Sequence, residues 1–389
     1  MFLFSYIVWD PNPELFPELL QDWNISPRYY GLLFALGFLI SQQILFYIFR
    51  KEGKSERDVE TLTIFMVVAT LVGARLGHVL FYEPELYLPN PGEILKVWKG
   101  GLASHGAAVG ILIGLYLYVN YLIDVKINSR FPFLHVKATR RKKEGQSYLW
   151  VVDRIVIVVA FTGSLIRLGN FINSEIIGQP ADVPFGVVFA RAAEESIISN
   201  PAIESVEASK GGERIEDGIY KPVLLTVNFR REDYQERGIR NYLESEVKHI
   251  LSSYQVVTEH FHEPIDEPLR YELTRQANGA YQANIHTWGI SRHPAQLYES
   301  MSSMLLFIFL FLVWKRRKEK TPEGLLFGLF LVILFSLRFI YEFFKEVQVA
   351  FEENIPLNMG QILSIPFVLA GIYLLVRVKK KTKAQGTGS

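Results

Sequence analysis

The stretch LWVVDRIVIVVAFTGSLIRLGNF, Leu149 to Phe171, decides the fold class. Its 23 residues, at ~1.5 Å per residue, suffice to cross ~30 Å of hydrocarbon as one helix. Three ionisable side chains interrupt it: Asp153, Arg154 and Arg167. Within a membrane span each costs several kcal/mol unless it is paired or solvated, so each is a functional candidate.

Apolar blocks of similar length lie on both sides. The expected spans run over about 29–49, 59–82, 101–123 and 149–171, then about 294–314, 322–344 and 356–378. The 389 residues are 49% hydrophobic, a fraction a soluble domain also reaches, so it is the clustering that separates the classes. Net charge is +1, which leaves no global field for nucleic acid. With no cysteine there is no thiol nucleophile, thiolate metal site or disulfide. No metal-ligand spacing and no cofactor motif is present, so neither is expected. Met1 to Trp9 is apolar, but Asp10, Pro11, Asn12, Pro13 and Glu14 follow at once, and no cleaved signal peptide is expected.

Lys and Arg alternate between loops. Arg50, Lys51, Lys54 and Arg57 follow the first span, and Arg140, Arg141, Lys142 and Lys143 belong to the loop after the third. Lys315, Arg316, Arg317 and Lys318 follow the fifth, and Lys379, Lys380 and Lys381 the seventh. The intervening loops are poor in both. The positive-inside rule then predicts an extracytoplasmic N-terminus and a cytoplasmic C-terminus. The expected fold is therefore an all-α polytopic membrane protein of about seven transmembrane helices with an inserted small α+β extracytoplasmic domain. The expected domains are a first membrane part over 1–191, the insertion over 192–284, a second membrane part over 285–380 and a cytoplasmic tail over 381–389. Within the insertion, 222–229, 254–260, 269–274 and 280–286 read as strands and 232–251 as helix.

Charged and polar residues gather in the expected outer half of the membrane: Arg75 and His78, His105, Arg167, Arg338 and Glu342, with Arg292, His293 and Glu299 at the start of the fifth span. Bland readings stand beside these. Arg154 is expected to snorkel to the inner surface. Arg338 and Glu342, spaced i, i+4, equally fit a structural ion pair. Gly106, Gly110 and Gly114 mark a close-packing helix face. Arg167 is harder to dismiss, because Asn170, Asn173 and Glu175 follow it on one helix end. A guanidinium matches phosphate bidentately and stays charged when buried, which points to a phospholipid head group. Pairing of Arg167 with Glu175 is the structural alternative.

The run RLGNFINSEIIG, Arg167 to Gly178, resembles the signature of the prolipoprotein diacylglyceryl transferases. Further segments match in the same order: RYYG from Arg28, GARLG from Gly73, GGLASHG from Gly100, RHPAQLYE from Arg292, then Arg338 with Glu342, and GQILS from Gly360. The resemblance covers nearly the whole membrane part. It departs at Ile166, His78, Ala107 and Gln179 and in the length of the insertion, and loses no matched functional residue. It implies transfer of a diacylglyceryl group from phosphatidylglycerol to the lipobox cysteine of secreted prolipoprotein precursors, in the bacterial cytoplasmic (inner) membrane. It further implies catalytic roles for His105, Arg167 and Arg292. Lipid contact is implied for Tyr30, Arg75, Arg167, Asn170, Asn173, Glu175, Gly178, Tyr298, Glu299, Arg338 and Glu342. A transporter for an anionic solute would also explain the intramembrane arginines, but not the ordered motifs; a receptor or scaffold, whose extracytoplasmic module binds a partner while the membrane part only anchors it, is the second alternative.

Overall fold

The computed structural model describes residues 6–15, 27–96, 101, 103–127, 134–140, 143–212, 218–231, 234–346 and 357–386. Seven long helices carry the apolar blocks: α1 (Tyr29–Lys51), α2 (Glu56–Phe81), α3 (Ser104–Asn120), α4 (Tyr148–Ile172), α5 (Ala295–Arg317), α6 (Leu325–Tyr341) and α7 (Met359–Gly386). Among the described residues six spans, which exclude α3, have the length and hydropathy to cross a membrane. Large apolar side chains on them are open to the surroundings; Ile64, Met301, Leu305 and Tyr373 are 64–66% exposed. In water that surface would be untenable, and in lipid it is the expected exterior. The protein is a multi-pass membrane protein.

The third apolar block differs from expectation. Helix α3 has 17 residues and ends at Asn120. The chain then enters an antiparallel hairpin of β2 (Tyr121–Ile127) and β3 (Leu134–Arg140). Tyr121, Ile123, Val125 and Ile127 alternate with Asp124 and Lys126, a period of two that a helix does not use.

The chain divides into two compact units. One comprises Leu36–Gly163, Ser303–Ser336 and Ser364–Ser389. Its core joins Ile48 and Phe49 of α1, Leu62 of α2, Leu115 and Tyr118 of α3, Val151 and Ile157 of α4, Leu310 and Trp314 of α5, and Leu326 of α6. Helices α2 and α3 meet through glycine: a Cβ on Gly106 would lie 2.7 Å from Gly77 Cα, and one on Gly110 2.9 Å from Gly73 Cα. The Gly106–Gly110–Gly114 face is thus a close-packing face, as its spacing suggests.

Arg154 does not snorkel. It is fully buried, and its Nη2 donates to both carboxylate oxygens of Glu52 at 2.9 Å. The guanidinium stacks 4.4 Å from the Trp150 ring, and Trp314 Nε1 donates to Glu52 Oε1 at 2.5 Å. Glu52, just beyond α1, is too close in sequence to a basic loop to stand out, which is why the pair escapes a reading of spans alone. The neighbouring Asp153 accepts from the Gly324 and Phe327 N–H groups at 2.7 and 2.8 Å, capping the start of α6.

The second unit comprises Met1–Ala35, Ser164–Ser302 and Leu337–Leu363. Its sheet is antiparallel in the order β5 (Ile203–Lys210), β6 (Tyr220–Phe229), β9 (Tyr281–Ile290), β7 (Phe261–His262), with β8 (Arg270–Arg275) also on β9. Val223, Leu225, Val227 and Phe229 alternate inward and meet Ile197, Leu243, Val247 and Leu251 of the short helices within Arg191–Ser253. A parallel pair, β1 (Ile7–Trp9) with β4 (Val187–Phe189), completes the unit's strands among the described residues. The segment 254–260, expected as a strand, forms a helical turn at Gln255–Thr258. Val257 is buried while Val256 is exposed.

Removing one partner of the buried Glu52–Arg154 pair leaves an uncompensated charge. Glu52→Gln is expected to cost about 3–5 kcal/mol. Glu52→Leu combined with Arg154→Met is expected to recover most of that, and denaturant unfolding in detergent micelles measures both.

Candidate active site

The end of α4 and the segment after it organise the second unit. Gly169 admits the start of α1: a Cβ there would lie 2.9 Å from Tyr30 Cδ2 and 3.2 Å from Tyr30 Cα. Two residues earlier, Arg167 Nε lies 2.5 Å from Glu299 Oε2 of α5. The expected Glu175 alternative is not the partner found. Glu299 Oε1 pairs at 2.5 Å with Lys345 Nζ, which lies 3.3 Å from Glu342 Oε1. Arg338 reaches Glu342 at 3.7 Å, and Asn358 Nδ2 donates to Glu342 Oε2 at 3.3 Å.

This chain of pairs has a definite charge. Arg167, Lys345 and Arg338 are three cations against the two carboxylates Glu299 and Glu342. Within this chain of pairs, among the described residues, one positive charge is in excess. Lys345 and Glu299 are largely buried, whereas the Arg167 side chain is 25% exposed and Arg338 42% exposed. The surplus is therefore available to an anion at the arginines rather than at the lysine. A guanidinium whose Nε is held by a carboxylate retains its other N–H groups for a second acceptor.

Glu175 is occupied otherwise. Its two carboxylate oxygens accept from Asn170 Nδ2 and Asn173 Nδ2, both at 3.2 Å. Its main-chain carbonyl accepts from Gln296 Nε2 at 2.6 Å. The carboxamide oxygens of Asn170 and Asn173 are buried and without a hydrogen-bond partner among the described residues. Two unmet acceptors beside a cationic surplus suit a ligand that carries both hydroxyls and a phosphate.

Arg292 stands at the junction of the strand-like segments. Its main chain pairs with Val187 through bonds of 2.9 and 3.0 Å. Its Nη1 donates to Gly178 O at 3.1 Å and pairs with Glu346, and its Nη2 donates to Glu259 O. Gly178 is needed because a Cβ there would lie 2.7 Å from His293 Cβ and 2.9 Å from Phe344 O. His293 Nδ1 lies 3.1 Å from Tyr298 Oη, and burial holds the imidazole below its usual range. The structure thus brings together Tyr30, Arg167, Asn170, Asn173, Glu175, Gly178, Arg292, Tyr298, Glu299, Arg338 and Glu342 in one unit.

Arg75 and His105 belong to the other unit. Arg75 is 3% exposed and donates to the carbonyls of Ile94, Glu93 and Gly101 at 2.9, 2.8 and 3.2 Å, with its guanidinium 4.6 Å from the Tyr87 ring. It is engaged in holding the main chain beyond α2. His105 opens α3, exposed, with its ring 5.4 Å from that of Phe81 and 5.7 Å from that of Tyr82. Lys345, Glu346 and Gln296 were not singled out from sequence. The signal for Lys345 was a lone lysine three residues after Glu342 in a cation-poor loop.

The family model for prolipoprotein diacylglyceryl transferase matches residues 17–138 and 130–377. A phosphatidylglycerol–prolipoprotein diacylglyceryl transferase of Tolumonas auensis is 33% identical over 369 residues, covering 95% of this chain and 97% of that protein. The protein of the same name from Chloroherpeton thalassium is 32% identical, with 98% of each chain covered. Its namesake from Porphyromonas gingivalis is 31% identical, with 99% of each covered.

His260, next to the Glu259 carbonyl that holds Arg292, is pushed down to about 4, first by burial and then by the Arg292 guanidinium. The unfolded chain binds a proton near pH 6.5 that the folded chain refuses. Stability from this group is complete above about pH 6.5 and is lost as pH falls toward 4, by about 1.4 kcal/mol per pH unit. Thermal midpoints between pH 6.5 and 4.5 are expected to fall less steeply in His260→Gln than in the unsubstituted protein. An identical slope would contradict this.

Proposed function

The chain belongs to the prolipoprotein diacylglyceryl transferase family, and from that premise we infer that it moves the diacylglyceryl group of phosphatidylglycerol onto the cysteine thiol of prolipoproteins. The observation that carries the reading to particular residues is the surplus cation of the Arg167–Glu299–Lys345–Glu342–Arg338 chain. The anionic-solute transporter finds no support among the relatives. Multi-pass helices and family membership support the bacterial inner membrane. The alternation of basic loops supports an outward N-terminus, an inward C-terminus and a site open to the outer leaflet.

The chemistry is a displacement at carbon. The cysteine sulfur attacks the glyceryl carbon that bears the phosphate ester. A C–S bond forms, the C–O bond breaks, and the electron pair leaves on the phosphate oxygen of glycerol phosphate. The product is a thioether. Charge grows on the leaving phosphate, so a guanidinium held in place before the reaction stabilises the transition state. Arg167 has that role here, anchored by Glu299 and still presenting N–H groups. Arg292 is the second candidate; its links to Gly178 O, Glu259 O and Glu346 support a role in shaping the segment that Gly178 closes.

Asn170 and Asn173, with their unmet carboxamide oxygens, suit the glycerol hydroxyls of the head group. Tyr30, packed on Gly169, and Tyr298, bonded to His293, suit orientation of the lipid. The thiol must lose its proton, because thiolate is the nucleophile and a free thiol titrates near ~8.5. For that step the sequence offers His105 as base, and the cationic surplus itself favours the thiolate.

The reading is tested with purified protein, labelled phosphatidylglycerol and a lipobox peptide. A labelled thioether is expected, and persistent absence of transfer would refute it. Arg167→Ala is expected to lower kcat/KM by at least ~10²-fold, in line with loss of an oxyanion donor. Arg167→Lys is expected to recover only part of it, because the fork is gone. Full activity in Arg167→Ala would remove the phosphate role. For His105→Gln, loss of the rising limb of the pH–rate profile is expected, and an unchanged profile would exclude it as the base.

A further inference from the structure

Helix α4 ends in a Schellman cap. The Glu175 N–H donates to the Asn170 carbonyl at 2.9 Å, and the Ser174 N–H to the Phe171 carbonyl at 3.1 Å. Ser174 takes the left-handed position at φ 56°, which is unfavourable for a non-glycine residue. The cap is therefore strained at the residue between the Asn170–Asn173 pair and the carboxylate they hold. It uses the carbonyls of Asn170 and Phe171, so those of Ile172 and Asn173 need donors from elsewhere.

Both donors come from Arg191, the first residue of the short helix Arg191–Ile198 that follows β4. Its Nη1 donates to Asn173 O at 2.6 Å, and its Nη2 to Ile172 O at 2.5 Å and to Pro11 O at 2.7 Å. A cation at a helix C-terminus also opposes the negative end of the helix dipole. All three acceptors are main-chain atoms, so the contact fixes backbone and not side-chain identity. The trajectory it fixes is the one that places Asn170, Asn173 and Glu175.

We propose that Arg191 is a positioning residue for the lipid head-group site: by completing the α4 cap over a strained Ser174, it holds Asn170, Asn173 and Glu175 in their binding geometry. The proposal rests on the transferase reading above. It assigns a task in the lipid site to the residue that immediately precedes the expected insertion over 192–284.

The test is steady-state transfer by the full chain, reconstituted with phosphatidylglycerol and a lipobox peptide. Arg191→Ala is expected to raise KM for phosphatidylglycerol at least tenfold while changing kcat less than threefold. A merely structural loss would lower the active fraction, and so kcat, without moving KM. Ser174→Gly added to Arg191→Ala is expected to recover most of the KM, because glycine enters the left-handed region without a Cβ penalty. Arg191→Lys, which keeps the charge but not the fork, is expected to fall between. An unshifted KM in any folded Arg191 variant, or no recovery in the double variant, overturns the proposal. If Arg191→Ala does not fold, Arg191→Lys and the double variant give the same two readings. Failure of the unsubstituted protein to form thioether would instead overturn the transferase reading, so the two failures are distinguishable.

Discussion

Glu299 lies between two cations, 2.5 Å from Arg167 and 2.5 Å from Lys345, and that shared carboxylate is the constraint on which the site depends. In a poorly solvated setting an isolated guanidinium is expensive, and a fully neutralised one is of no use to an anionic substrate. The chain from Arg167 to Arg338 avoids both extremes. Each carboxylate is shared, each cation has a partner, and one positive charge is left over. Removing Lys345 would let Glu299 neutralise Arg167 alone, while removing Glu299 would leave two cations facing one another. The arrangement therefore sets the charge carried by this chain of pairs as well as its geometry.

Helix α4 shows how one apolar segment puts ionisable residues to different uses. Asp153 caps the start of α6 and Arg154 forks onto Glu52 beside Trp150 and Trp314, all with satisfied bonds and no exposure. Arg167 is bound by one edge and partly open. The difference lies in the partners rather than in the residue type. A closed pair serves the fold, and a half-closed one can serve a ligand. The same distinction separates Arg75, engaged by main-chain carbonyls, from Arg338, whose only ion-pair partner among the described residues sits at 3.7 Å and is itself shared.

Much of the fold was legible because hydrocarbon thickness imposes one length on every span. Expected and observed helices agree closely at 29–49 against Tyr29–Lys51 and at 149–171 against Tyr148–Ile172. The third block misled because its apolar run continues past Asn120 into an alternating hairpin. In the insertion, β6, β8 and β9 were visible from alternation, but β5, IESVEASK, is too polar to announce itself and exists through its pairing with β6. The turn at Gln255–Thr258 contains two valines and a threonine, which local propensity assigns to a strand; the main chain instead closes on itself, Thr258 N–H donating to Tyr254 O at 2.8 Å and Glu259 N–H to Gln255 O at 3.1 Å. Most residues of the candidate site were legible from the ordered motifs. Their partners were not, because Glu299 to Lys345, Arg292 to Glu259 and Arg191 to Ile172 are contacts of tertiary folding that no spacing encodes.

The central claim is that the surplus charge at Arg167 recognises an anionic head group. Equilibrium binding of phosphatidylglycerol and of zwitterionic phosphatidylethanolamine, with matched acyl chains, tests it without reference to turnover. The unsubstituted protein is predicted to prefer phosphatidylglycerol, and Arg167→Ala to lose that preference while its affinity for phosphatidylethanolamine changes little. An undiminished preference in Arg167→Ala would contradict the account.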